Sequence, residues 1–102
     1  MDIRFKVNPD PPRSGDNEVE VILQSADGAP ITDATVSTMF YMPAMPSMNM
    51  PEMSNGFTMS HVEGGLYKGK GSLEMAGTWD VTVRVSRDGK QLGIGRRTVI
   101  AK

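Results

Sequence analysis

Gly77-Thr78-Trp79-Asp80-Val81-Thr82-Val83-Arg84-Val85-Ser86-Arg87, followed by Asp88-Gly89, is the stretch that decides the fold class. Trp79, Val81, Val83 and Val85 alternate with Asp80, Thr82 and Arg84. A period of two sends successive side chains to opposite faces of a strand, and nothing in the run repeats at 3.6. Valine and tryptophan suit such a half-buried pleated surface. Asp88-Gly89 then supplies the positive-φ pair of a primed two-residue turn, so residues 90–101 are predicted to return as the partner strand of a hairpin.

The alternation recurs outward from this hairpin. In residues 17–24, Val19, Val21 and Leu23 oppose Glu18, Glu20 and Gln24. In residues 34–41, Ala34, Val36, Thr38 and Phe40 form one face and Thr35, Ser37, Met39 and Tyr41 the other. Residues 57–62 and 66–73 read as shorter strands parted by Gly64-Gly65, residues 3–7 as an opening strand, and Ala26-Asp27-Gly28-Ala29-Pro30 as a turn. About seven short strands with regular turn signals predict an all-β, immunoglobulin-like antiparallel β-sandwich occupying residues 1–102 as one domain. The chain has no cysteine, so the core must rest on Trp79 and the branched aliphatics.

Composition removes several function classes. Eleven Lys+Arg stand against twelve Asp+Glu with no long run of either sign, which argues against a nucleic-acid partner. No apolar stretch is long enough to span a membrane. A single histidine and no thiol leave no base–nucleophile pair, and no carboxylate constellation appears, so the chain is not expected to be an enzyme. The start, Met1-Asp2-Ile3-Arg4-Phe5, lacks the basic and apolar regions of a signal peptide. Met1 is expected to stand where a leader or anchor has been removed.

What stands out is methionine. Met39, Met42, Met45, Met48, Met50, Met53 and Met59 are seven of the chain's nine, and Pro43, Pro46 and Pro51 lie among them. The strands leave a Met/Pro-rich loop at about residues 42–56, long for a compact domain. Its prolines favour extended or polyproline-II backbone, in which Met39, Met42, Met45 and Met48, spaced by three, would line one edge. Neighbouring Cα atoms along that edge would be roughly 9 Å apart. Sulfurs sharing one ion lie at most about 4.6 Å apart, taking metal–sulfur bonds near those of zinc thiolates. More than two thioethers can therefore meet one ion only if the loop bends.

A thioether is soft, neutral and never protonated in water, so it selects Cu(I) or Ag(I) over zinc, calcium or magnesium. Met42, Met45, Met48, Met50 and Met53 are the candidate ligands, with His61 adding an imidazole from the strand face it would share with Met59. Met59 and Met75 are secondary candidates. Methionine is also a plastic core filler and an adaptable contact surface. On that reading Met39, Met59 and Met75, in or beside strands, belong to the core, and the loop is an apolar docking patch. Trp79 is expected in the core. Gly93-Ile94-Gly95 lacks the third glycine of a dinucleotide fingerprint.

Phe40-Tyr41-Met42-Pro43-Ala44-Met45-Pro46, Gly65-Leu66-Tyr67 and Met75-Ala76-Gly77-Thr78-Trp79-Asp80-Val81-Thr82-Val83, in that order, resemble the YtkA-like domain. That family shows a strand entering an MPxM-type loop, a G-x-Y segment and an M-x-G-x-W strand start. Asn8-Pro9 with Pro11-Pro12, and residues 26–34, fit its opening strands, so the resemblance covers roughly residues 5–86. It implies an immunoglobulin-like sandwich in the periplasm or otherwise outside the cytoplasm, often membrane-tethered. Such domains occur beside copper-handling and oxidase-assembly proteins or attached to heavy-metal efflux adaptors. The family's methionines fall on Met42 and Met45.

Two functional expectations follow. The first is a domain that binds Cu(I), and Ag(I) by the same chemistry, for efflux or for transfer with a copper-receiving or copper-donating protein. The second is a non-metal interaction module of an oxidase-assembly or efflux-adaptor system.

Overall fold

The structure, a computed structural model, describes residues 1–8 and 12–102. Pro9 and Pro11, which carry part of the resemblance quoted above, lie outside the described residues.

Eight strands form: β1 (Asp2–Asn8), β2 (Gly15–Gln24), β3 (Thr35–Met42), β4 (Met53–Thr58), β5 (Ser60–Glu63), β6 (Leu66–Leu73), β7 (Gly77–Arg87) and β8 (Lys90–Ala101). They pair antiparallel in two four-stranded sheets, β1-β2-β6-β5 and β4-β3-β7-β8. Seven of them follow the immunoglobulin order, with β4 added beside β3. The expected sandwich is therefore what the chain builds, with eight strands in place of about seven.

The extra strand comes from residues 53–63. The alternation in residues 57–62 reads as one strand, but the chain changes sheets at Met59. β4 pairs with β3 in one layer, and β5 pairs with β6 in the other. Met59 is buried at this crossing, over β6. A β-carbon on Gly69 would stand 2.5 Å from the Met59 sulfur and 2.6 Å from the Thr58 carbonyl oxygen, so only glycine admits the crossing chain there.

The core follows the parity read from sequence. Val19, Val21 and Leu23 from β2 meet Val36 and Phe40 from β3 and Trp79, Val81, Val83 and Val85 from β7, all buried. Phe57 joins from β4, its ring centroid 4.7 Å from that of Phe40. Trp79 is fully enclosed and donates its indole N–H to the Met75 carbonyl at 3.1 Å. The Tyr67 hydroxyl donates to the Ile31 carbonyl (2.9 Å) and accepts from the Ala34 amide (3.1 Å), tying β6 to the entry of β3. Asp88 and Gly89 both have positive φ, at 51° and 78°, as the predicted β7–β8 hairpin turn requires.

Candidate functional site

The site grows from the way β3 ends. Strand parity buries Val36, Thr38, Phe40 and Met42 and exposes Thr35, Ser37, Met39 and Tyr41. Met39 and Met42, three residues apart, therefore point to opposite sides of the sheet. Met39 is 44% exposed, over the outer face beside Gly56, rather than in the core. Met42 is 3% exposed and belongs to the core cluster. The polyproline edge of four methionines does not form, because β3 runs through Met42 and two-residue alternation overrides a three-residue repeat.

Beyond Met42 the chain turns back at once. Met42 pairs with Met53, the first residue of β4, so the irregular segment is residues 43–52 rather than 42–56. Within it, Met45 and Met50 form an isolated antiparallel bridge in the same register. Each donates its amide to the other's carbonyl, at 2.9 Å and 3.1 Å. Such a mutually bonded pair places Cα atoms about 5.5 Å apart. Pro43 and Pro51, which have no N–H to give, lie between the Met42–Met53 and Met45–Met50 pairs.

Residues 45–50 are a closed turn. Pro46–Met48 form one 3₁₀ turn with Pro46 in its first turn, where a missing N–H costs nothing. The Met48 amide donates to the Met45 carbonyl at 3.0 Å, and the Asn49 amide to the Pro46 carbonyl at 3.0 Å. Asn49 takes the left-handed conformation (φ 55°) that reverses the chain, which asparagine tolerates better than most residues. The bend required for several thioethers to approach one ion is thus built from backbone hydrogen bonds.

Five candidate methionines share this hairpin end. Met42 is buried, Met45, Met50 and Met53 are half-buried, and Met48 is 64% exposed. Met75, in the β6–β7 connection, lies at the same end of the sandwich, partly buried against the core. Met42 and Met45 line one wall of an open cleft of about 360 Å³. Ala76, Gly77, Thr78 and Asp80 form the facing wall.

Met59 and His61 are elsewhere. The sheet crossing puts buried Met59 and exposed His61 in different surroundings, so they do not share a strand face. His61 pairs with Tyr67 near the start of β6, whereas Asn55 in β4 donates to the Ser72 carbonyl (2.9 Å) at its far end. Five residues of strand, about 17 Å, separate those points, and Met53 lies farther on. The His61 ring packs tilted against Tyr67 at 5.2 Å between centroids, and Nε2 donates to the Gly64 carbonyl at 2.7 Å. This histidine cannot complete a donor set with the hairpin methionines.

The hairpin also carries a polar pair that no local pattern in the sequence signals. The Tyr41 hydroxyl donates to Glu52 Oε2 at 2.8 Å, clipping the end of β3 to the returning limb. That hydrogen bond, with partial desolvation and the negative charges of Glu52 and Asp80, holds the Tyr41 phenol above its ordinary pKa. Two carboxylates thus flank the methionine end. Among the described residues no group of three or more His, Cys, Asp or Glu side chains could hold a metal ion. Soft sulfur is the donor chemistry this end of the molecule offers.

An eight-stranded antiparallel sandwich carrying a closed methionine hairpin at one end defines the class of domain. The model of the YtkA-like family matches residues 1–84, and the chain belongs to that family. The match ends within β7, so β8 lies beyond it. Comparisons with curated proteins and with solved structures returned no significant match.

Proposed function

We propose that this domain is a non-enzymatic carrier of Cu(I), and of Ag(I) by the same chemistry, acting outside the cytoplasm. It would take the ion at the methionine hairpin and exchange it with a copper-donating or copper-receiving protein, an efflux adaptor or an oxidase-assembly component. The observation that carries the reading is the closed 45–50 turn, which holds three methionines in six residues with Met45 and Met50 directly paired. Opposed side chains in such a pair start about 5 Å apart at Cβ, so two thioethers reach a shared ion with little rearrangement. Neutral ligands leave the ion its charge, and Glu52 and Asp80 supply negative potential nearby. Thioethers do not form disulfides, so the site stays available in an oxidising compartment.

The apolar cleft beside Met42 and Met45 favours a second reading, in which the hairpin end is a docking surface that binds no metal. Anaerobic Cu(I) titration against a chromophoric chelator, followed by NMR of the methionine methyl groups, separates the two. The carrier reading expects the Met45, Met48 and Met50 methyls to shift and those of buried Met59 to stay fixed. Replacing the three by leucine should abolish Cu(I) binding while conserving volume. A leucine variant that binds Cu(I) as well as the parent sinks the carrier reading.

A further inference from the structure

The hairpin methionines differ in exposure and in the backbone that carries them, and this separates their roles. Met45 and Met50 are half-buried, locked face to face by two amide–carbonyl bonds. Met48 is 64% exposed, at the tip. It does not ride on a loose loop. Its amide closes the 3₁₀ turn onto Met45, and the left-handed Asn49 follows directly.

We propose that Met48 is the exchange arm of the hairpin: it meets incoming Cu(I) first and releases it last, while Met45 and Met50 hold the ion at rest. This rests on the carrier reading above. The Met48 amide bonds to the Met45 carbonyl, so one closed turn of chain holds the two residues near each other. Cα atoms across a turn closed by such a bond lie within about 7 Å of each other. A flexible thioether arm spans that gap, swinging between solvent and an ion held by the Met45–Met50 pair. From residue 42 to residue 51 there is no charged side chain, so the tip presents a neutral, soft surface to its partner. The partner this fits is one whose own site offers a thioether, thiolate or imidazole within reach of a protruding tip.

The exchange is a ligand substitution that balances without redox chemistry. A Cu–S bond to Met48 forms as the bond to Met45 or Met50 breaks, and an acceptor donor atom then replaces the remaining sulfurs, Met48 last. Copper stays Cu(I), and neutral thioethers neither release nor take up a proton.

An interaction made only during passage changes rates in both directions and leaves the equilibrium alone. The test compares the parent protein with Met48→Leu and Met45→Leu, each loaded anaerobically with Cu(I). Affinity is read by competition with bicinchoninate, and transfer to bicinchoninate by stopped flow. Met48→Leu should keep Kd within about threefold of the parent while slowing loading and transfer alike by about tenfold. Met45→Leu should weaken Kd by at least about tenfold. If Met48→Leu loses affinity as Met45→Leu does, Met48 is a resting ligand and the proposal is wrong. Transfer from Met48→Leu at the parent's speed also overturns it. A parent that binds no Cu(I) removes the carrier reading itself, whereas a binding parent with an unaffected Met48→Leu removes only this inference.

Discussion

The methyl carbon of Met42 lies 2.9 Å from the point a β-carbon on Gly77 would occupy. Gly77 opens β7 with φ at 139°, a conformation side-chain-bearing residues rarely adopt, and the space beside it seats the last residue of β3. The glycine of the M-x-G-x-W motif is thereby coupled to the methionine of the MPxM motif. Gly77→Ala should destabilise the domain by roughly 2–5 kcal/mol, combining backbone strain with overpacking. Urea unfolding of Gly77→Ala, Met42→Ala and the double variant checks this. The double variant should recover about 0.5–3 kcal/mol relative to additivity, and strict additivity would refute the contact.

Thr38 is an anomaly in the core. It is 1% exposed between Val36 and Phe40 on the inward face of β3, and its hydroxyl has no hydrogen-bond partner among the described residues. A buried unpaired hydroxyl costs about 1–3 kcal/mol. Thr38→Val keeps the shape and removes the polar atom, so it should raise stability by about 1–2 kcal/mol in urea unfolding. A destabilised variant would show that the hydroxyl has a partner.

The clip between Tyr41 and Glu52 has a spectroscopic signature. Its phenol is held above its ordinary value, first by the hydrogen bond to Glu52, then by desolvation and the charges of Glu52 and Asp80. A raised pKa in the folded state favours the protonated phenol. The clip's contribution is therefore complete below about pH 10 and is lost as pH rises through the folded value. Phenolate absorbance, taken as parent minus Tyr41→Phe, should titrate late, and Glu52→Gln should bring it earlier. No movement in Glu52→Gln would mean that the clip does not form in solution.

His61 lies at the opposite end of β6 from the hairpin contact, so His61→Ala should leave Cu(I) affinity unchanged within about twofold. Zinc should bind weakly, since the hairpin offers it no thiolate and no imidazole. Isothermal titration checks both points, and submicromolar zinc binding at the hairpin would contradict a donor set made of thioethers.

Much of this fold is legible in the sequence itself. The alternation of Trp79, Val81, Val83 and Val85 with polar residues identified β7, and Asp88-Gly89 its turn to β8. The parity of residues 34–41 already put Met39 with Tyr41, opposite Phe40. Hydrophobicity alone favours the core for Met39, but strand parity outweighs it and leaves the side chain on the outer face. Glu52 carried no local sign of its role. Its partner Tyr41 is eleven residues back, and only the hairpin register brings the two together.

The sequence by itself determined that the chain is a strand-rich sandwich and that seven methionines fall within 21 residues. Both are local properties, one a period of two along the backbone and the other a count. Only the tertiary structure decided which of those sulfurs are neighbours. β3 carried Met42 into the core, the sheet change at Met59 sent His61 to the far end, and the Met45–Met50 bridge folded the remaining segment on itself. Each outcome depends on which backbone pairs with which, within the hairpin for Met45–Met50 and across the sheets for Met42 and His61, set by burial and hydrogen bonding that a repeat of three in the sequence cannot encode.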